Sequence, residues 1–139
     1  MNGIEISTDK SRLDVPMIHR FLSEESYWAR NIPVAIVERS IANSLCFGVY
    51  DGGQQVGFAR VVTDSATFGY LADVFIVPTH RGRGLSKQVL AFIMSYESLQ
   101  GIRRLMLVTQ DAHGLYRQYG FAPIDNPENT MSIKFFTTY

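Results

Sequence analysis

The sequence predicts a mixed α/β domain, a twisted and largely antiparallel sheet flanked by about four helices. Two observations carry this. Residues 45–50, 55–63 and 67–77 are successive runs rich in β-branched and aromatic residues, joined by the tight turns Asp51-Gly-Gly-Gln54 and Asp64-Ser-Ala66, so consecutive strands pair antiparallel. After Pro78 and the glycine turn at Gly82 and Gly84 the apolar period changes: Leu85, Val89, Phe92, Ile93, Tyr96 and Leu99 fall on one face of a helix.

In chain order, residues 3–8 alternate weakly and are assigned to a first edge strand. Ser11 or Asp14 caps the next helix, with Pro16 in its first turn and Val15, Ile18, His19, Phe21 and Leu22 as its apolar stripe. Residues 23–33 break that pattern and gather Glu24, Glu25, Tyr27 and Trp28 into one irregular stretch. Pro33 opens a second helix, with Val34, Val37 and Ile41 on one side and Glu38 and Arg39 on the other. The helix after the glycine turn runs to about residues 99–101, and 104–109 form a buried strand. Because that strand follows a helical crossover, it lies parallel to the strand before it. Residues 112–119 form a short helix ended by Gly120, and residues 121–124 and 130–136 close the chain as strands around the turn 125–129.

Composition narrows the partners. The 139 residues read as one domain, 1–139, and an apolar share of 46% supports a packed core. Thirteen basic and thirteen acidic side chains cancel, which argues against nucleic acid and anionic membrane, since both attract excess positive charge. The single cysteine, Cys46, sits in an apolar run and reads as a core residue. No apolar stretch reaches the roughly 20 residues of a membrane helix, and the amino terminus lacks signal-peptide features, so a cytoplasmic protein is expected. His19, His80 and His113 have no ligand spacing, and no metal is assigned.

Residues 73–87 hold the most distinctive chemistry. With no Cβ at Gly82 and Gly84 an anion can approach the backbone, and the N–H groups of the first helical turn point at it with the positive end of the dipole behind them. Arg81, Arg83 and Lys87 surround that seat with positive charge. The stretch reads as a phosphate or pyrophosphate seat; the plainer alternative is a basic surface turn. A P-loop fails, because Gly84 is followed by Leu85 and Ser86 instead of Lys and Ser/Thr. A Rossmann fingerprint lacks its third glycine, replaced by Lys87, and about 20 residues on stand Arg103 and Arg104 instead of an acid, which leaves a phosphorylated dinucleotide open.

The order of elements, the turn Val77-Pro-x-x-Arg81-Gly-Arg-Gly84-Leu-Ser86 and the run Ala112-His-Gly-Leu-Tyr116-Arg-Gln-Tyr-Gly120-Phe121 together resemble the GCN5-related N-acetyltransferase (GNAT) superfamily over nearly the full chain. Ser86 stands where Gly or Ala is usual in the pyrophosphate loop, and Thr109 where many members carry an Asn beside the pantetheine arm. The resemblance implies a sheet splayed between its fourth and fifth strands and acetyl-CoA, or another acyl-CoA, as cosubstrate. Its pyrophosphate would lie on Arg81, Gly82, Arg83, Gly84, Leu85 and Ser86, and its pantetheine arm against Phe75, Ile76 and Val77 and beside Thr109. A small-molecule or peptide amine would attack the thioester directly, without a metal or an enzyme nucleophile.

Tyr116 matches the tyrosine that such enzymes place by the sulfur to protonate the departing thiolate; the alternative is a helix tyrosine packed on the sheet. Asp73, two residues before Phe75 on the same strand face, is either the base that receives the amine proton or a carboxylate bonded to backbone. Glu24, Glu25, Tyr27 and Trp28 occupy the loop that shapes the acceptor pocket in this family, where carboxylates and aromatic faces suit a cationic amine; a solvated helix end is the alternative for the two glutamates. The second functional reading is a non-catalytic acyl-CoA-binding sensor or scaffold. The identity of the amine and the oligomeric state, a homodimer included, are left open.

Overall fold

The structure is a computed structural model that describes residues 3–139. Strands β1 (Ile4–Ser7), β2 (Leu45–Asp51), β3 (Gln54–Thr63), β4 (Phe68–Ile76) and β5 (Arg104–Leu107) lie side by side in chain order. Neighbours from β1 to β4 are antiparallel, and β5 runs parallel to β4, as the helical crossover requires. Among the described residues, four α-helices accompany the sheet: α1 (Val15–Arg20), α2 (Val34–Ala42), α3 (Leu85–Met94) and α4 (His113–Arg117).

Caps explain where the helices begin and end. Asp14 accepts the Met17 N–H at 3.1 Å, and Pro16 lies in the first turn of α1. The helix then widens into a π turn, Phe21–Glu25, where the Ser26 N–H donates to the Phe21 carbonyl and the Ser26 hydroxyl to that of Leu22. Helix α3 stops at Met94, short of the predicted 99–101. There the Ser95 hydroxyl donates to the carbonyls of Ala91 and Phe92 and the Gln100 amide to those of Met94 and Tyr96, which offers the last turn partners outside the helix.

The sheet is covered on both faces. One core joins Phe47, Val49, Ala59 and Val61 to Val89, Leu90 and Ile93 of α3. The other joins Cys46, Phe58 and Phe75 to Ile18 of α1, to Phe21 and Leu22 of the π turn and to Val37 and Ile41 of α2. The neighbours Cys46 and Phe47, and Phe58 and Ala59, thus enter opposite cores, as strand alternation dictates. Burying each large apolar side chain contributes about 1.5–3 kcal/mol. Phe21 stacks on Phe75 with ring centroids 3.9 Å apart.

A bulge in β4 positions the site. Phe58 pairs with Phe75 but Arg60 pairs with Ala72, so β4 carries one residue more than β3 across that interval. Asp73, inside it, has φ 55°, a left-handed conformation that aspartate tolerates better than most side chains. Pairing of β4 with β5 covers only Phe68–Leu71 against Arg104–Leu107. Beyond it the two strands part, where a splay was expected.

The predicted closing strands do not form. Among the described residues, 121–124 and 130–136 pair with no strand, and the sheet ends at β5. Alternating sequence makes a strand only where an edge is supplied to pair with, and here the chain turns away through Asn126, with φ 52°, and the 3-10 turn Pro127–Asn129.

Candidate active site

A cleft of about 320 Å³ opens where β4 and β5 diverge, with Tyr27, Trp28, Asp73, Thr109 and Tyr116 on its walls. Glu24 and Glu25 lie exposed on the π turn outside that lining. The aromatic part of the predicted acceptor loop thus reaches the cleft, and its acidic part does not.

At one end of β4 lies the glycine turn. His80 fastens it to the β2–β3 hairpin: Nε2 donates to Asp51 Oδ2 at 2.9 Å, and Nδ1 lies 2.9 Å from the Thr79 hydroxyl. Gly82 and Gly84 have φ of 78° and 75°, with no atom within 4 Å of where a Cβ would stand. Backbone conformation, not crowding, therefore demands glycine there. Among the described residues, the N–H groups of 82–87 have no acceptor, and those of Leu85, Ser86 and Lys87 form the first turn of α3.

Two of the backbone groups expected along the pantetheine arm are engaged within the chain. Arg81 Nε donates to the Ile76 carbonyl at 3.0 Å, and the Val77 N–H donates to the Val56 carbonyl at 2.9 Å. Because successive backbone groups point alternately, the Val77 bond toward β3 leaves the Ile76 N–H on the opposite side, facing the splay.

The chemistry-bearing side chains are held by named contacts. Asp73 Oδ1 accepts from Trp28 Nε1 at 2.8 Å and Oδ2 from Arg60 Nε at 2.9 Å. Arg60 also donates to the Ser44 hydroxyl. Tyr27 Oη accepts the Gln110 N–H at 2.9 Å, tying the acceptor loop to the segment after β5, and Thr109 Oγ1 accepts the Ala112 N–H ahead of α4. Tyr116 is buried with its ring edge-on to Phe121 at 5.7 Å; its hydroxyl bonds to no described group, and the residue lines the cleft. Burial pushes its phenol above the usual tyrosine range, with Tyr27 and Asp111 acting in the same direction. Cys46 has no part in this site. Burial pushes its thiol up to about 11, as suits a packed core residue.

Arg60 went unpredicted, although its signal is present: a lone cation inside the apolar run Val56-Gly-Phe-Ala-Arg60-Val-Val requires a buried partner. The partner could not be read, because the β4 bulge that brings Asp73 opposite depends on pairing between strands.

A cleft beside the diverging strand edge and, beyond the end of β4, unpaired amides at the start of α3 suit a ligand that bears an anionic group. Residues 42–123 match the family described as Acetyltransferase (GNAT) domain. A Gibberella zeae protein named as a candidate acetyltransferase is 35% identical over 133 residues, covering 80% of this chain and 74% of its own. The crystal structure of a candidate GNAT acetyltransferase from Xanthomonas campestris pv. campestris is 50% identical and superposes with a TM-score of 0.95, covering 99% of this chain and 96% of that one. A GNAT acetyltransferase from Elizabethkingia anophelis with acetyl-CoA bound shares the fold at 13% identity, with a TM-score of 0.67 over 90% of this chain and 80% of its own. The chain belongs to the GCN5-related N-acetyltransferase family. No helix among the described residues is long and apolar enough to cross a membrane.

Proposed function

We propose that the chain transfers an acetyl group from acetyl-CoA to a primary amine within a ternary complex. The observation that carries this reading is that Tyr116, whose hydroxyl bonds to no described group, lines the splayed cleft, while the amides of 82–87 beyond the end of β4 are free. Those amides, with Arg83 and Lys87 nearby, receive the pyrophosphate, and the pantetheine arm follows the β4 edge past Ile76 and Thr109. The amine nitrogen attacks the thioester carbonyl carbon, a C–N bond forms, and the oxyanion accepts from the Ile76 N–H. As the C–S bond breaks, its electron pair stays on sulfur and the Tyr116 hydroxyl donates to it.

Asp73 receives the amine's proton, directly or through a water. Its two clamps leave it with further acceptor lone pairs, and its position beside the Trp28 and Tyr27 rings suits an ammonium group. Trp28 and Tyr27 shape the acceptor side, and Glu24 and Glu25 stand outside the cleft where they favour approach of a cation.

Thiol release from acetyl-CoA tests the reading, measured against polyamines, amino sugars and peptides with free amino termini. Amine-dependent release together with an N-acetylated product in the mass spectrum is the expected result. A protein that binds acetyl-CoA but releases thiol at the same rate with and without every amine would favour a sensor or scaffold.

A further inference from the structure

We propose that the acceptor is a short, doubly cationic amine: one nitrogen reaches the thioester beside Asp73 while a second ammonium group pairs with Asp111, and amino acids and peptides are poor acceptors. This rests on the transfer reaction proposed above and names its substrate class.

The cleft's charge points to such a ligand. Asp73 and Asp111 are the acidic residues of its lining, and among the described residues no lysine, arginine or histidine lines it. The two carboxylates differ in what already holds them. Asp73 is balanced by Arg60 at 2.9 Å, so its place is close to neutral before a ligand arrives. The Asp111 side chain takes part in no hydrogen bond or ion pair among the described residues. His113 and Arg117 of α4, the bases that follow it in sequence, line the groove beside residues 121–124 and not the cleft. A carboxylate left uncompensated on a cleft wall attracts a cation and repels an anion. An amino acid would bring its own carboxylate to this wall with no cation to receive it.

Aromatic rings favour the same ligand. Tyr27 and Trp28 are 48% and 42% exposed, yet they stand between the buried residues Ser26 and Ala29. The Ser26 hydroxyl fixes both flanks, donating to the Leu22 carbonyl and accepting the Ala29 N–H. Anchored on either side, the segment presents its two rings at the cleft, and a ring face attracts an ammonium group.

The same two residues limit size. Neighbours in sequence, they bond to opposite walls: Trp28 Nε1 donates to Asp73 of β4, and Tyr27 Oη accepts the Gln110 N–H beyond β5. The segment thereby bridges the parted strands, and an extended polypeptide has no path through it. At about 320 Å³ the cleft lies near the lower end of small-ligand sites, which span about 300–1,000 Å³, and it must also take the acetyl end of the cofactor. Room is left for a short chain.

In the reaction the near nitrogen forms the C–N bond as the C–S bond breaks, its proton passes to Asp73, and the far ammonium group keeps its own. Rebinding the product for a second transfer would set a neutral amide against Asp111, so a singly acetylated product accumulates.

Thiol release from acetyl-CoA is measured with three acceptors that share a four-carbon chain and differ at the far end: putrescine (ammonium), butylamine (methyl) and γ-aminobutyrate (carboxylate). A lysine-containing tripeptide is the fourth. The kcat/KM for putrescine should exceed that for butylamine by about 5-fold, as suits an exposed ion pair, and those for γ-aminobutyrate and the tripeptide by about 50-fold or more. The mass spectrum should show monoacetylputrescine. Asp111→Asn should bring putrescine and butylamine to about the same kcat/KM. A general loss of structure lowers both rates together, so their ratio isolates the pairing with Asp111. The proposal is overturned if butylamine, γ-aminobutyrate or the tripeptide matches putrescine, or if Asp111→Asn leaves the ratio where it was. Those results leave acetyl transfer itself standing, since an amine is still acetylated; thiol release that no amine raises overturns both.

Discussion

Tyr116 combines a buried ring with a hydroxyl that no neighbour satisfies, and this suits a donor that must stay protonated until charge develops beside it. Burial raises its phenol above the usual tyrosine range, so turnover should not fall through its ionisation at neutral or mildly alkaline pH. The same shift makes complete proton transfer to a thiolate uphill, so in the proposed reaction the hydroxyl would act by a hydrogen bond that strengthens as the C–S bond breaks. Tyr116→Phe should lower kcat by about 10–100-fold with little change in KM for acetyl-CoA. An unchanged kcat would return Tyr116 to a packing role. Asp73 presents a different case, being held in a left-handed conformation with both oxygens engaged. Asp73→Asn keeps a side chain that tolerates this backbone and an oxygen for Trp28, but it cannot take a proton. If Asp73 relieves the amine of its proton, the variant must bind amine already neutral in solution. The acidic limb of its pH–rate profile should then move upward toward the amine's own pKa, and an unmoved profile would exclude the role.

At the scale of elements, the glycine turn and the β4 bulge frame the candidate site. Gly84→Ala meets open space and costs only the backbone conformation, about 1–2 kcal/mol, so cofactor affinity should change by a few-fold at most. Gly84→Glu adds to that strain a negative charge beside the free amides, and isothermal titration should show CoA affinity reduced by 100-fold or more. The Arg60–Asp73 pair, with side chains 17% and 9% exposed, spans the bulge. Arg60→Met should destabilise by about 2 kcal/mol, between the values for exposed and fully buried pairs, and thermal melting should fall by about 6 °C. The glycine turn was legible in sequence because period, proline and glycine are local signals. The bulge was not, since it exists only as a mismatch between the Phe58–Arg60 and Ala72–Phe75 spacings, and nothing within 67–77 marks which residue is extra. Residues 130–136 failed for the opposite reason: their alternation is a true strand pattern, but among the described residues no strand pairs with it.

For the molecule as a whole, the double-sided core holds β2 and β3 rigidly, while β4 and β5 separate after four paired positions. Strand order and the parallel crossover followed from turn lengths and a change of period, so the scaffold could be written down before any coordinates. The site could be written down only in part: Thr109 and Tyr116 from motif positions, Tyr27 and Trp28 from an aromatic loop, and Arg60 not at all. Thermal melting with acetyl-CoA, CoA and NADPH tests the central claim most directly, because it needs no knowledge of the amine. At a ligand concentration near 100 times Kd, binding adds roughly 2.7 kcal/mol, a rise of about 8 °C for a domain of this size. The predicted result is that rise with acetyl-CoA and CoA, its loss in Gly84→Glu, and none with NADPH. No rise with either thioester or free CoA, or a rise with NADPH alone, would contradict the assignment of the cleft and its glycine turn to an acyl-CoA.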